Sequence, residues 1–320
     1  MENRLITKIL DSVPAHIKPI NYLMDTLDIG RESAYRRLRG EIPFTLKEAS
    51  QLSLELGFSM DTVVCEKRIN RIFLDVLTEH PDLSKRFLNM LQKYCSVVSQ
   101  ISKDNHSEIL SVRNRLPLSI LIQNEYLFKF YYYNYIYQNG NPDNRLFADT
   151  VIPEEITSYC KEFLSHMPDI NTFCYIINSR SFFLSFCREI QYCYSRNLIT
   201  LDEVRTLQNT LHDTLNYIMR LLETGEDGTN NIFFYLSYTE VSTNSACISF
   251  GDNIISQFWI YYNYFIEIRN SEICYMHRNW FNTMKKSSIL ITKSNEIFQS
   301  KFLGQQRYHI DSITEEFMYL

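Results

Sequence analysis

The chain has 320 residues, of which 45% are hydrophobic, which supplies packed cores for two domains and excludes a disordered polyelectrolyte. A net charge of −5 excludes a surface that coats nucleic acid as a whole, so DNA contact requires a local cationic patch. The eight cysteines include no CxxC pair and none beside histidines at zinc-ligand spacing, so they read as reduced core thiols.

The opening MENRLITKIL lacks the apolar core of a signal peptide, and the stretches 116–122 and 254–268 are too short or too polar to cross a bilayer. The expectation is a soluble cytoplasmic protein with no membrane partner. Residues 1–66 read as a string of short helices. Leu5, Ile6, Ile9 and Leu10 give the first its apolar stripe, and Ile20, Leu23, Met24 and Leu27 the second. Pro14 and Pro19 punctuate the chain between them, and Asp28-Ile29-Gly30 has the composition of a tight turn. A third helix spans about Arg31 to Leu38, followed by Gly40 and Pro43. Thr45 and Glu48 form a capping box for a fourth helix carrying Ala49, Leu52, Leu54 and Leu56. Gly57 stops it, and Ser59 starts a fifth.

Residues 67–103 are helical, with a break at Pro81 and a restart near Asp82. Leu83, Phe87, Met90, Tyr94, Val97 and Ile101 then recur at spacings of four and three, a seam that fits either packing within one domain or a dimer helix. Further on, 124–138 is aromatic enough to require burial, and Asn139 to Pro142 is a loop. Pro153–Met167 and Phe182–Tyr194 read as helices, and Thr172–Ile177 as a strand. Thr200 and Glu203 cap a long helix to about Glu223, ended by Gly225 and Gly228. Residues 230–238, 246–250 and 254–262 read as a small antiparallel meander. A helix from Ser271 to Lys285, an apolar run Ser288–Ile291 and a last helix from Asn295 to about Phe317 follow.

Chemistry concentrates between Pro19 and Val64. Helix, turn, helix, Gly40, Pro43, capped helix and Leu56-Gly57-Phe58-Ser59 follow one another in that order. This segment resembles the phage-repressor (Cro/C1, or XRE) class of helix-turn-helix domains over about a fifth of the chain. Lys18-Pro19 replaces the usual Gln or Thr-Gln at the start of the first motif helix, which a helix's first turn tolerates. The resemblance implies a lambda-repressor-like five-helix fold whose third helix enters a major groove.

Ile29, Ala34 and Leu38 fall on that helix's inward side, and small Ala34 lets the motif helices approach. From Gly30 to Gly40 there are four Arg and one Glu, a net +3 within an acidic protein. Arg suits guanine, Glu accepts from cytosine, and the hydroxyls of Ser33 and Tyr35 suit phosphates. By the resemblance, Arg31, Glu32 and Arg36 hold the base-reading positions, while Ser33, Tyr35, Arg37 and Arg39 hold phosphate or flanking ones. The bland alternative is a solvated face with a Glu32–Arg36 ion pair. Lys18 and Lys47 lie at helix starts flanking the motif, placed either to meet the DNA backbone or, as a lone lysine more often is, to stand as solvated charges.

No phosphate-cradling Gly loop, HExxH or GxSxG occurs, so neither an enzyme nor a cofactor is expected. His277 and His309 read as surface or capping residues, and Trp259 and Trp280 as core. The fold class expected is mainly α: a helix-turn-helix DNA-binding domain (1–66), a helical linker and candidate dimer helix (67–103), and a helix-rich α+β domain (104–320) with a small antiparallel sheet. The last resembles, in general shape, the aromatic-rich C-terminal regions of regulators from Bacteroidetes-type bacteria. The implied function is a dimeric transcription regulator on double-stranded operator DNA, with a small-molecule effector as a refinement. A helix-turn-helix fold that docks a protein is the alternative.

Overall fold

The structure, a computed structural model, describes residues 2–13, 17–56, 58, 60–64, 82–102, 104, 106–140, 146–239, 243–261 and 264–314. Pro14, Gly57, Ser59, Cys65, the run 67–80 with its break at Pro81, Pro142 and the last helix's end near Phe317 lie outside them. The chain forms two compact units, Met1–Val76 and Leu77–Leu320.

The first unit is five helices: α1 (Glu2–Ser12), α2 (Pro19–Leu27), α3 (Arg31–Leu38), α4 (Leu46–Leu56) and α5 (Met60–Val64). Leu5, Ile9, Leu23, Ala34 and Leu52 meet in its core. Two stripe residues face out instead: Leu10, and Leu54 at 84% exposure. Punctuation sets the boundaries. Asp28 takes a left-handed conformation (φ 51°) at the end of α2, and Gly40 does so (φ 75°) after α3, where a side chain would be strained. The Thr45–Glu48 capping box forms, with the Thr45 N–H donating to Glu48 Oε2 at 2.8 Å.

The second unit begins with α6 (Leu83–Ile101), which Asp82 caps by accepting from Ser84 N. Then come β1 (Glu108–Arg113), α7 (Leu118–Leu121), α8 (Glu125–Asn139), α9 (Glu154–His166), β2 (Thr172–Asn178), α10 (Leu184–Ser195) and α11 (Leu201–Thr224). After them lie β3 (Glu226–Asp227), β4 (Asn230–Ser237), β5 (Ser245–Phe250), β6 (Asn253–Tyr261), β7 (Tyr264–Ile268), α12 (Ser271–Ser287), β8 (Ile289–Leu290) and α13 (Glu296–Asp311). The Thr200–Glu203 capping box starts α11, and Gly225 ends it at φ 68°.

The expected small antiparallel sheet is overturned. The sheet is eight-stranded and mixed, ordered β3-β4-β2-β1-β5-β6-β7, with β8 beside β4. β1 and β2 run parallel, as do β2 and β4, while β5, β6 and β7 continue antiparallel from β1. β4 therefore does not adjoin β5, although the two are neighbours in sequence; β2 and β1 stand between them. The physical reason is two-sided burial. β2 is buried at five successive positions, which belongs to a central parallel strand covered on both faces.

Strand alternation sorts the two faces. Ile109, Phe173, Tyr175, Phe234 and Ile248 join the large core with α6, α8 and α11. Leu110, Val112, Cys174, Ile176 and Cys247 pack with Phe281 of α12 on the other face. The seam of α6 is spent within this unit: Phe87, Met90, Val97 and Ile101 are buried in the large core, with Leu83 and Tyr94 packed against it. The seven described cysteines are all buried. Burial pushes most of their thiols up, Cys95 to about 11 and Cys160, Cys174, Cys187, Cys193 and Cys247 to about 12, so they are protonated core groups.

His277 is not the surface or capping residue expected from sequence. It is buried between β5 and β6, with Nδ1 2.9 Å from Ser256 Oγ, Nε2 3.2 Å from Ser245 Oγ, and Phe258 stacked at 4.4 Å. Both ring nitrogens are used and no acid among the described residues faces them, so burial lowers its pKa to about 4. Below about pH 6.5 the unfolded chain takes up a proton that the folded one refuses, so stability falls with acid at about 1.4 kcal/mol per pH unit until roughly pH 4. The stability advantage over His277→Gln in urea unfolding is expected to shrink by about 2 kcal/mol from pH 7 to pH 5. A gap independent of pH would show that His277 titrates alike in both states.

Candidate nucleic-acid interface

α3 turns one side to the core and one to solvent. Ala34 is fully buried, with Ile29 and Leu38 packed against the same core. Arg31, Glu32, Tyr35, Arg36 and Arg39 are exposed. Residues 31, 35 and 39 recur every fourth position and so form one stripe. There the Arg31 and Arg39 guanidinium carbons lie 5.9 and 5.8 Å from the Tyr35 ring centroid. Two cations thus flank an exposed aromatic ring, which restrains all three side chains.

Arg36 pairs with Glu41 at 3.4 Å, and among the described residues Glu32 forms no ion pair with it. Glu41 also lies 3.7 Å from Arg39. Glu32 instead sits in the first turn of α3, where a carboxylate suits the helix dipole. Gly30 precedes α3 in extended conformation and makes no side-chain cap hydrogen bond.

Two of the seven sequence-predicted contact residues do other work. Arg37 is half-buried; its Nη2 donates to Glu48 Oε1 at 2.8 Å, and its Nη1 donates to the Ser33 hydroxyl. Burial of the Glu48 carboxyl raises its pKa, but the Arg37 and Thr45 hydrogen bonds outweigh this and hold it below its ordinary value. Glu48 thus closes the start of α4 and clips α3 to it. Sequence reading found Glu48 as a cap and missed it as Arg37's partner, because the two lie on different helices, 11 residues apart in the chain. The visible signal was Ser33 and Arg37 at i,i+4.

Lys18 and Lys47 are both exposed, at the starts of α2 and α4. The arrangement exposes three guanidinium groups, a tyrosine hydroxyl and the carboxylates of Glu32 and Glu41, the latter already beside Arg36 and Arg39. Among the described residues there is no cluster of three or more His, Cys, Asp or Glu suited to hold a metal ion, and no helix is long and apolar enough to cross a membrane. No protein-family model, curated protein or solved structure matches this chain.

Proposed function

We propose that the chain is a sequence-specific DNA-binding transcription regulator acting as a dimer in the cytoplasm, with the first unit reading the major groove through α3. The observation that carries this reading is the exposed Arg31–Tyr35–Arg39 stripe beside Arg36, cationic on a protein of net charge −5. Arg31, Glu32 and Arg36 read bases, and Tyr35 and Arg39 engage phosphates. Ser33 and Arg37 hold α3 in register rather than meeting DNA. One such module neutralises few phosphates, which is the physical argument for a two-fold dimer on a palindromic site. The second unit supplies sensing or assembly.

Exposed Leu46 and Leu54 on α4, at 79% and 84%, favour a second reading in which the first unit docks a protein. Selection of the whole 320-residue chain against a random duplex library, at two salt concentrations, separates the two. A recovered two-fold site whose affinity falls steeply with salt is the expected result. Absence of enrichment at both salts overturns the DNA reading and favours docking.

A further inference from the structure

The second unit contains a cavity floored by β1, β2, β5 and β6 and walled by α6. Ile109, Ser111 and Arg113 of β1 alternate onto this face, with Arg113 at the strand's carboxyl end. β1 is also where chain order reverses across the sheet, with β2 on one side and β5 on the other.

Arg113 is the unusual member. Its guanidinium lies 3.9 Å from the Trp259 ring centroid, among the hydroxyl-bearing rings of Tyr94, Tyr131 and Tyr175. It is enclosed by protein yet keeps some accessible surface, because that surface is the cavity's. Burial lowers its pKa, and no carboxylate among the described residues answers its charge. Its Nε is buried without a hydrogen-bond partner, as is the Oγ of Ser111, a residue only 1% exposed. Two residues on, Arg115 shows the ordinary solution, pairing with Glu189 at 2.6 Å. A buried cation without a counter-charge is costly, and a chain retains one where something else supplies the charge.

We infer that this cavity binds a small amphipathic carboxylate, an aromatic or short aliphatic acid. The carboxylate sits on Arg113 with Ser111 donating, and the apolar body lies against Val97, Ile101, Ile109 and Ile248. Tyr94 accepts the Trp259 indole N–H at 2.7 Å, so its own O–H remains to donate. A phosphate dianion fits worse: Arg115, the other cation in the lining, is committed to Glu189, and most of the remaining wall is apolar or aromatic, with Ser111, Ser119, Asn244 and Gln257 its uncharged polar members. This site stands independently of what the first unit binds.

The test exploits the two tryptophans of the chain. Trp280→Phe in the full chain leaves Trp259, in the cavity wall, as the reporter. Benzoate and hexanoate are titrated against its emission, beside benzamide, hexanamide and inorganic phosphate, with calorimetry as a second readout. At least one acid is expected to bind saturably, its amide at least about tenfold more weakly, and phosphate not at all. Arg113→Gln and Arg113→Met are expected to lose at least about tenfold in acid affinity and to bring acid and amide together. Absence of saturation by either acid up to about 10 mM, equal binding of acid and amide, binding of phosphate as tight as either acid, or unchanged acid affinity in Arg113→Gln each overturns the proposal. If Arg113→Met fails to fold, the acid–amide comparison on the parent protein still decides.

Discussion

Phe87→Ala is expected to lower the unfolding free energy of the second unit by about 3–5 kcal/mol. Phe87 is fully buried on α6, and its ring meets Tyr132 and Tyr135 edge-on with centroids 5.1 and 5.0 Å away, and Phe128 at 6.0 Å. Truncation removes the transfer free energy of the ring, leaves a cavity among rigid aromatics that collapse poorly, and forfeits their edge-to-face contacts. Denaturant unfolding of the second unit at several protein concentrations measures the effect. Because the seam of α6 lies in the unit's own core, the loss is expected to be the same at every concentration. A loss that grows on dilution would mean that the helix also contributes to association.

The next largest effect is expected in DNA binding. Arg31→Ala with Arg36→Ala should weaken binding to the selected site by about 2–6 kcal/mol, each side chain contributing about 1–3. Both side chains are exposed, so the thermal stability of the first unit should barely change. Arg37→Ala should do the reverse. It strands the half-buried Glu48 carboxylate and frees Ser33, costing about 2 kcal/mol of stability. Its effect on affinity should follow only from the loosened α3. Electrophoretic titration alongside thermal unfolding reads both quantities. If Arg37→Ala lowers affinity as much as the double variant while the unit stays fully folded, Arg37 meets DNA instead of only bracing α3.

The first unit was legible because its signals are local. A capping box four residues long, a glycine in left-handed conformation and an apolar stripe are each complete within one turn or one helix, and they place α1 to α5 without knowledge of the rest. Leu54 misled for a related reason: an apolar residue on a short helix satisfies a pattern whether or not it turns inward. The sheet was illegible because pairing is not written locally. β4 and β5 are consecutive, apolar and separated by turn residues, which is how a hairpin reads. Only the existence of β1, a six-residue strand EILSVR with no period of its own, and the two-sided burial of β2 decide that β4 lies elsewhere. Arg113 and Glu48 escaped likewise, since an arginine at the end of a strand or a glutamate in a cap reveals nothing of the partner that the fold brings or withholds.

The position of β1 also governs when the second unit can be finished. Its edge opposite β2 is covered by β5, and the Asn114 N–H just beyond β1 donates to Asn244 Oδ1 at 2.7 Å across 130 residues of chain. A ribosome adding roughly 5–20 residues each second needs about ten seconds to deliver that partner. Throughout that interval β1 presents unsatisfied backbone groups and an apolar flank on the nascent chain, a template for neighbouring chains. Slow translation across 114–244, or a holding chaperone occupied elsewhere, therefore exposes this protein to aggregation before its native sheet can close.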